Sequence, residues 1–168
     1  LEKQDPQNGG WMLPQDPKEC HHPPPHLGGK PFATGVLLYG MMRYDLVEPR
    51  PEVKRSIVRA CEWLVEQGWN ARKGGFRYKT GCPDFADSAD SGGCMALCCA
   101  GLGYGWTLSG DRRFAEVLTA GFERMCTNSA TLGKGGTATV RQSAYALPVL
   151  RQIQAAAKKA AGPPDSNR

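Results

Sequence analysis

Five stretches of the chain carry enough apolar residues to form helices, and their hydrophobic patterns fall into two kinds. From about Pro31 to Val47, Phe32, Val36, Leu37, Leu38, Tyr39, Met41, Met42, Tyr44 and Leu46 leave almost no polar face, the mark of a helix buried on all sides. The next stretch, from about Pro51 to Gln67, repeats Val53, Ile57, Ala60, Cys61 and Leu64 at helical spacing, with Lys54, Arg55, Arg59, Glu62 and Glu66 opposite. That predicts a surface helix, closed by Gly68. From about Ser91 to Leu108 the pattern is again apolar throughout and rich in glycine. From Arg112 to Cys126 it is amphipathic, on Phe114, Val117, Leu118, Gly121, Phe122 and Met125, with Asp111 as the candidate N-cap. A fifth helix is expected from about Ala138 to Ala157, with Pro148 kinking or dividing it. Gly35 and Gly40 each cost about 1 kcal/mol in a helix interior relative to Ala, so a neighbouring helix is expected to approach closely there.

Between and before these helices lie three Gly- and Pro-rich loops. Residues 1–29 read as an extended lead-in arm, with Trp11 as an apolar anchor, and 159–168 as a flexible polar tail; the helical domain is then 30–158. The loop from about Trp69 to Ala89 is long for a connection, which points to function, and it mixes aromatic, cationic and acidic residues.

Composition narrows the classes. A chain of 168 residues suffices for one core. The net charge of +5, with no Lys/Arg run longer than two, gives no nucleic-acid arm but suits an anionic ligand. No apolar run reaches the roughly 20 residues needed to cross a bilayer and no signal-peptide pattern is visible, so neither a membrane nor a nucleic-acid partner is expected and the compartment, cytoplasmic or periplasmic, is left open. Seven cysteines, an odd number mostly inside helical patterns, read as buried thiols; Cys94 and Cys98 lie one turn apart, but no C-x-x-C pair marks a metal site.

The alternation of apolar and amphipathic helices, with Val53/Ile57 recurring as Phe114/Leu118 about 61 residues later, suggests inner and outer layers of antiparallel hairpins. The run Lys30-Pro31-Phe32-Ala33-Thr34-Gly35-Val36-Leu37-Leu38-Tyr39-Gly40, followed after a turn by Val53 to Leu64, resembles the helical hairpins of α/α-toroid carbohydrate-active enzymes, among them polysaccharide lyases and six-hairpin glycosidases. The resemblance spans about residues 28–155. It implies an all-α, partial toroid of about five helices, a C-terminal piece of a larger ring, and a carbohydrate partner.

On that reading the three loops share one end of the assembly and, with the helix N-termini, form a cationic cleft for an anionic polysaccharide or oligosaccharide. Three histidines crowd into residues 21–26. For a lyase acting on a uronate, His22 or His26 is the candidate base, Tyr78 its acid or base partner, and Arg77 or Arg141 the clamp on the carboxylate; Lys79, Asp84, Asp87 and Lys134 complete the substrate-binding set. A glycoside hydrolase would need two carboxyl groups flanking the bond, with Asp84, Asp87 and Asp90 supplying at most one side. A non-catalytic helical module binding a glycan or protein on the same face is the other alternative. No cofactor and no metal is expected; a site on Cys20, His21, His22 and His26 fits no common zinc spacing.

Overall fold

The computed structural model describes residues 2–15, 20, 26–90, 92–128 and 134–161, with the backbone alone at 128, 134–140, 143 and 161. Among the described residues five helices dominate: α1 (Pro31–Asp45), α2 (Pro51–Trp63), α3 (Gly93–Ser109), α4 (Arg112–Asn128) and α5 (Lys134–Ala161). Pro31 and Pro51 each open a helix, where a missing N–H leaves no bond unmade. Past Trp63 the chain makes one π-helical turn, Leu64–Gly68. Asp111 accepts the backbone N–H of Arg113, so it caps α4, while Gly110 closes α3 in a left-handed conformation at φ 70°.

Among the described residues four two-residue strands, none of them predicted, tie the loops down. β1 (Leu13–Pro14) pairs antiparallel with β2 (Leu27–Gly28), and β3 (Trp69–Asn70) with β4 (Gly75–Phe76). Phe76 and Asp90 exchange backbone bonds of 3.1 and 2.7 Å, which brings the far end of the 69–90 loop back to β4. The loop is therefore an ordered structure with its own fully buried residue, Phe76, and its length does not come from disorder.

α3 is the central helix: α1, α2, α4 and α5 all pack on it. Its contacts give the directions. Gly35 lies against Leu97 and Leu38 against Gly101, so α1 and α3 run parallel; Gly105 meets Phe114 and Gly121 meets Met95, so α4 runs antiparallel to α3. α1 opens at residue 31 and α3 at 93, α2 at 51 and α4 at 112, so the two hairpins repeat at the offset read from the sequence. Val53, Ile57, Phe114 and Leu118 are all buried in the same core. The fold is mainly α.

Two expectations need correction. α1 is not buried on all sides: Val36, Leu37, Tyr44, Leu46 and Val47 are exposed. A sequence with no polar face carries no phase, so it cannot say which stripe of the helix meets α3. Pro148 does not divide α5, which runs through it unbroken. Pro148 and Ala144 are both exposed, so the Ala144 carbonyl that Pro148 cannot serve reaches water.

The glycines of α1 are unlike. A Cβ at Gly35 would fall 2.5 Å from the carbonyl oxygen of Leu97, whereas at Gly40 nothing lies within 4 Å. Gly35→Ala is therefore expected to lower stability by about 1–3 kcal/mol as the two backbones are pushed apart, and Gly40→Ala to raise it by about 0.5–1 kcal/mol through helix propensity. Urea unfolding of the two variants checks this, and equal signs would refute the close α1–α3 approach.

A polar pair with one buried member joins α1 and α3 near their C-terminal ends. Asp45, 1% exposed, accepts a 2.6 Å bond from the Tyr104 hydroxyl and a 3.1 Å bond from the Arg50 backbone N–H. Burial, then the Asp45 carboxylate, push the Tyr104 phenol up to about 12.

Candidate functional site

Two regions gather the chemistry-bearing side chains. The first lies where the arm meets the 69–90 loop. The Thr80 N–H donates to the Gly29 carbonyl at 2.8 Å, and the Gly29 N–H to Thr80 Oγ1 at 3.0 Å. Gly28 and Gly81 make the crossing possible: a Cβ on either would fall 2.2–2.4 Å from a backbone oxygen of the other segment, and Gly81 has φ +75°. Beside this crossing, Cys20 Sγ lies 3.0 Å from Cys82 Sγ and 3.3 Å from His26 Nε2. Burial, then the Cys20 thiol beside it, raise the Cys82 thiol above its ordinary value.

The other loop residues take structural places. Arg77 donates to three carbonyls, of Ala86, Gln67 and Trp69, at 2.6–3.0 Å, and so braces the loop from inside. Lys79 is 1% exposed, with Nζ 5.3 Å from the Phe85 ring centre. Asp87 is clamped by Arg72 and Lys73, whose hydrogen bonds hold its carboxyl well below the usual range. Asp90 accepts the Gly92 and Cys94 N–H groups at the start of α3. Asp84 is exposed on a 3₁₀ turn, Pro83–Phe85. Tyr78 stacks on Phe32 at 5.3 Å and leans on Phe85 at 5.6 Å, with 42% of its surface open. A pocket of about 330 Å³ beside these residues is lined by Glu66, Gln67, Arg77, Lys79, Thr80 and Cys82 among others.

The second region joins α1 to α5. Tyr39 and Arg43 are one turn apart on α1, and Arg141 and Tyr145 one turn apart on α5, so each helix offers a Tyr/Arg pair at i,i+4. The pairs interlock. The Arg43 guanidinium donates to the Tyr145 hydroxyl, the Tyr39 and Tyr145 rings meet edge to face at 5.4 Å, and Arg141 lies 4.9 Å over the Tyr39 ring. The Tyr39 phenol is lowered from its ordinary value: a hydrogen bond from Tyr145 contributes most, burial opposes it, and Arg141 and Arg43 add to the lowering. Phe32, Val36, Tyr39 and Arg43 follow one another at i, i+4, i+7, i+11 along one stripe of α1, so this cluster lies about 10 Å down the helix from the Phe32–Tyr78 stack.

No family model, curated protein or solved structure matches the chain. What the site can do is therefore argued from its own geometry.

Of the residues singled out in the sequence, His26, Tyr78, Arg77 and Lys79 gather at the arm–loop crossing, while Arg141 stands apart in the α5 cluster. His21, His22 and the Lys134 side chain lie outside the described residues, as does the third loop before α5. Sequence reasoning missed Tyr39, Arg43 and Tyr145, which sat inside patterns read only for their apolar content; the signal was the matched Tyr/Arg spacing of one helical turn. It also missed Cys82, because nothing in local spacing connects it to Cys20.

Of the remaining cysteines, Cys126 is exposed and Cys61, Cys94, Cys98 and Cys99 behave as buried side chains. Cys98 and Cys61 are near the Pro31 and Gly101 carbonyls at 3.4 Å, and burial pushes both thiols up strongly. Cys94 and Cys99 are each pushed up to about 12, again by burial first. Such thiols stay protonated and inert at neutral pH.

Proposed function

We propose that this chain is part of a carbohydrate-active α/α-toroid enzyme, a polysaccharide lyase acting on a uronate-containing glycan, and that its working face is the Tyr39–Arg43–Arg141–Tyr145 cluster. The observation that carries this reading is the interlocking of the two Tyr/Arg pairs, with Arg141 4.9 Å over the Tyr39 ring and Arg43 donating to the Tyr145 hydroxyl, an arrangement that also lowers the Tyr39 phenol, Tyr145 contributing most. Removing the proton beside a carboxylate needs a base whose acidity is matched to the medium and a cation that neutralises the carboxylate as charge develops. A phenol lowered beside two guanidinium groups offers both in one place.

The reaction then runs as a β-elimination. The Tyr39 phenolate takes the proton from the carbon bearing the carboxylate, the C–H electron pair becomes the new C=C bond, and the neighbouring C–O bond breaks. The leaving oxygen takes the proton of the Tyr145 hydroxyl, which Arg43 positions. Solvent afterwards removes the Tyr39 proton and restores that of Tyr145. Arg141, over the Tyr39 ring, is the carboxylate clamp, the role assigned to it from the sequence. Tyr78, partly open beside Phe32, offers an aromatic edge further along the same stripe.

Hydrolysis has less support. Asp87 is bound to two cations and Asp90 is spent on a helix cap, so neither is free to protonate a leaving group. The test is incubation of the chain with polygalacturonate, polymannuronate and a neutral glucan, following binding and the absorbance of the conjugated double bond that elimination creates. Binding and absorbance are expected with the uronates alone, both lost in the Arg43→Ala/Arg141→Ala double variant. Reducing-sugar release without the absorbance would replace the reading with a hydrolase, binding without either product with a non-catalytic module, and no uronate binding at all would overturn it.

A further inference from the structure

We infer that Cys20, His26 and Cys82 form a site for one divalent transition-metal ion, zinc by the chemistry of its ligands, that fastens the lead-in arm to the loop between α2 and α3. The inference is independent of the α1–α5 reading. Its three ligand atoms, two sulfurs and one imidazole nitrogen, lie within 4.8 Å of one another. Both cysteines are almost wholly buried, at 5% and 3% exposure.

The dimensions suit a tetrahedral ion. Zn–S bonds of about 2.3 Å and Zn–N bonds of about 2.0 Å put neighbouring ligand atoms about 3.5–3.8 Å apart, against 3.0 Å between the sulfurs and 3.3 Å from Cys20 Sγ to His26 Nε2. For these two pairs, loading asks the ligand atoms to spread by under ~1 Å. Thiolate and imidazole together select zinc over magnesium or calcium, which take oxygen. Backbone contacts hold the neighbourhood of two of the ligands: Gln15 N–H donates to the His26 carbonyl at 3.0 Å, and the Thr80–Gly29 bonds with the close passage of Gly28 and Gly81 fix the chain beside Cys82. Cys82 also lines the polar pocket of about 330 Å³, from which a water can take the fourth position.

Binding balances without an oxidant. Each thiol gives its proton to solvent as its sulfur bonds the ion, and the neutral imidazole donates its lone pair. The rival use of the two cysteines is a disulfide, which would need the sulfurs to close to about 2.05 Å and would make no use of the imidazole beside them. Three convergent soft donors are what a metal site requires and a disulfide does not.

The experiment uses the whole chain, reduced, stripped with chelator, and loaded with zinc alone or cobalt(II) alone. One zinc per chain is expected by elemental analysis, and cobalt(II) should give the intense ligand-field bands of a tetrahedral site with thiolate-to-metal charge transfer. Losing even an outer-shell partner costs 10- to 100-fold, so Cys82→Ser and His26→Ala should each weaken binding by at least about 100-fold, while Cys126→Ser, at the exposed cysteine, should change nothing. If Cys82→Ser fails to fold, His26→Ala and the cobalt spectrum of the unaltered chain carry the test. A folded reduced chain that holds no metal overturns the proposal. So does a His26→Ala variant that binds as tightly as the parent, or a Cys20–Cys82 disulfide whose reduction creates no metal binding.

Discussion

Trp63→Ala should lower stability by about 3–5 kcal/mol, the cost of deleting a large, fully enclosed aromatic side chain. Trp63 ends α2 and is 1% exposed. Two glycines of the arm close over its ring: a Cβ on Gly10 would fall 2.6 Å from Trp63 Nε1, and one on Gly29 2.3 Å from Cζ2. The arm is thus built around this indole at two points. Polar bonds secure it further along α2, where Gln4 bridges to Ser56 and Arg59 donates to the Asp5 carbonyl at 2.8 Å. Those bonds are partly exposed and replaceable by water, so the indole decides whether the arm docks. For a chain of this length the loss corresponds to a melting temperature lower by roughly 10 °C. Hydrogen exchange should show the 4–13 segment losing protection before the helices do. A cost below about 1 kcal/mol would mean that the arm is not held by Trp63.

The arm shows what the sequence does and does not reveal. Its proline and glycine content predicts a segment without regular structure, and that content gave no sign of the short β1–β2 pairing the arm carries. The reason for Gly10 and Gly29 is a ring more than thirty residues away, and no local pattern carries that. The amphipathic helices were legible because Val53, Ile57, Phe114 and Leu118 state both the helix and its inward face. α1 stated only the helix; Gly35 and Gly40 both suggested a close neighbour, and only Gly35 has one, in α3. The candidate site was read from loops, where charge stands out against glycine, yet Arg77 and Lys79 turn out to be used inside the loop's own structure. A cation in a sequence does not say whether a ligand or three carbonyls will claim it. Arg141 was visible as a charge, but its meaning depends on Tyr39, Arg43 and Tyr145, which only the packing of α1 and α5 brings together.

Tyr39→Phe should abolish elimination, with a loss of about 10²–10⁴-fold, the usual contribution of a positioned base. The variant keeps the ring, so the edge-to-face contact with Tyr145 and the placement beneath Arg141 survive and uronate binding should persist. The sharper evidence lies in the pH profile. A base acts only when deprotonated, so, if Tyr39 is the base, activity of the unaltered chain should rise with pH through its pKa. That pKa is lowered, so the rise should come below the ordinary tyrosine value of about 10. Each group that lowers it should, when removed, move the rise to higher pH. Tyr145 contributes most, so Tyr145→Phe should move it furthest, and Arg141→Ala and Arg43→Ala less. Tyr145→Phe should also lower the plateau, because the leaving oxygen loses its proton donor. A merely structural Tyr39 would show none of this order: its loss would change stability, and the neighbouring substitutions would leave the rising limb where it was. An unshifted limb in Tyr145→Phe and both arginine variants, or full activity in Tyr39→Phe, would remove Tyr39 as the base and with it the reason for placing the chemistry between α1 and α5.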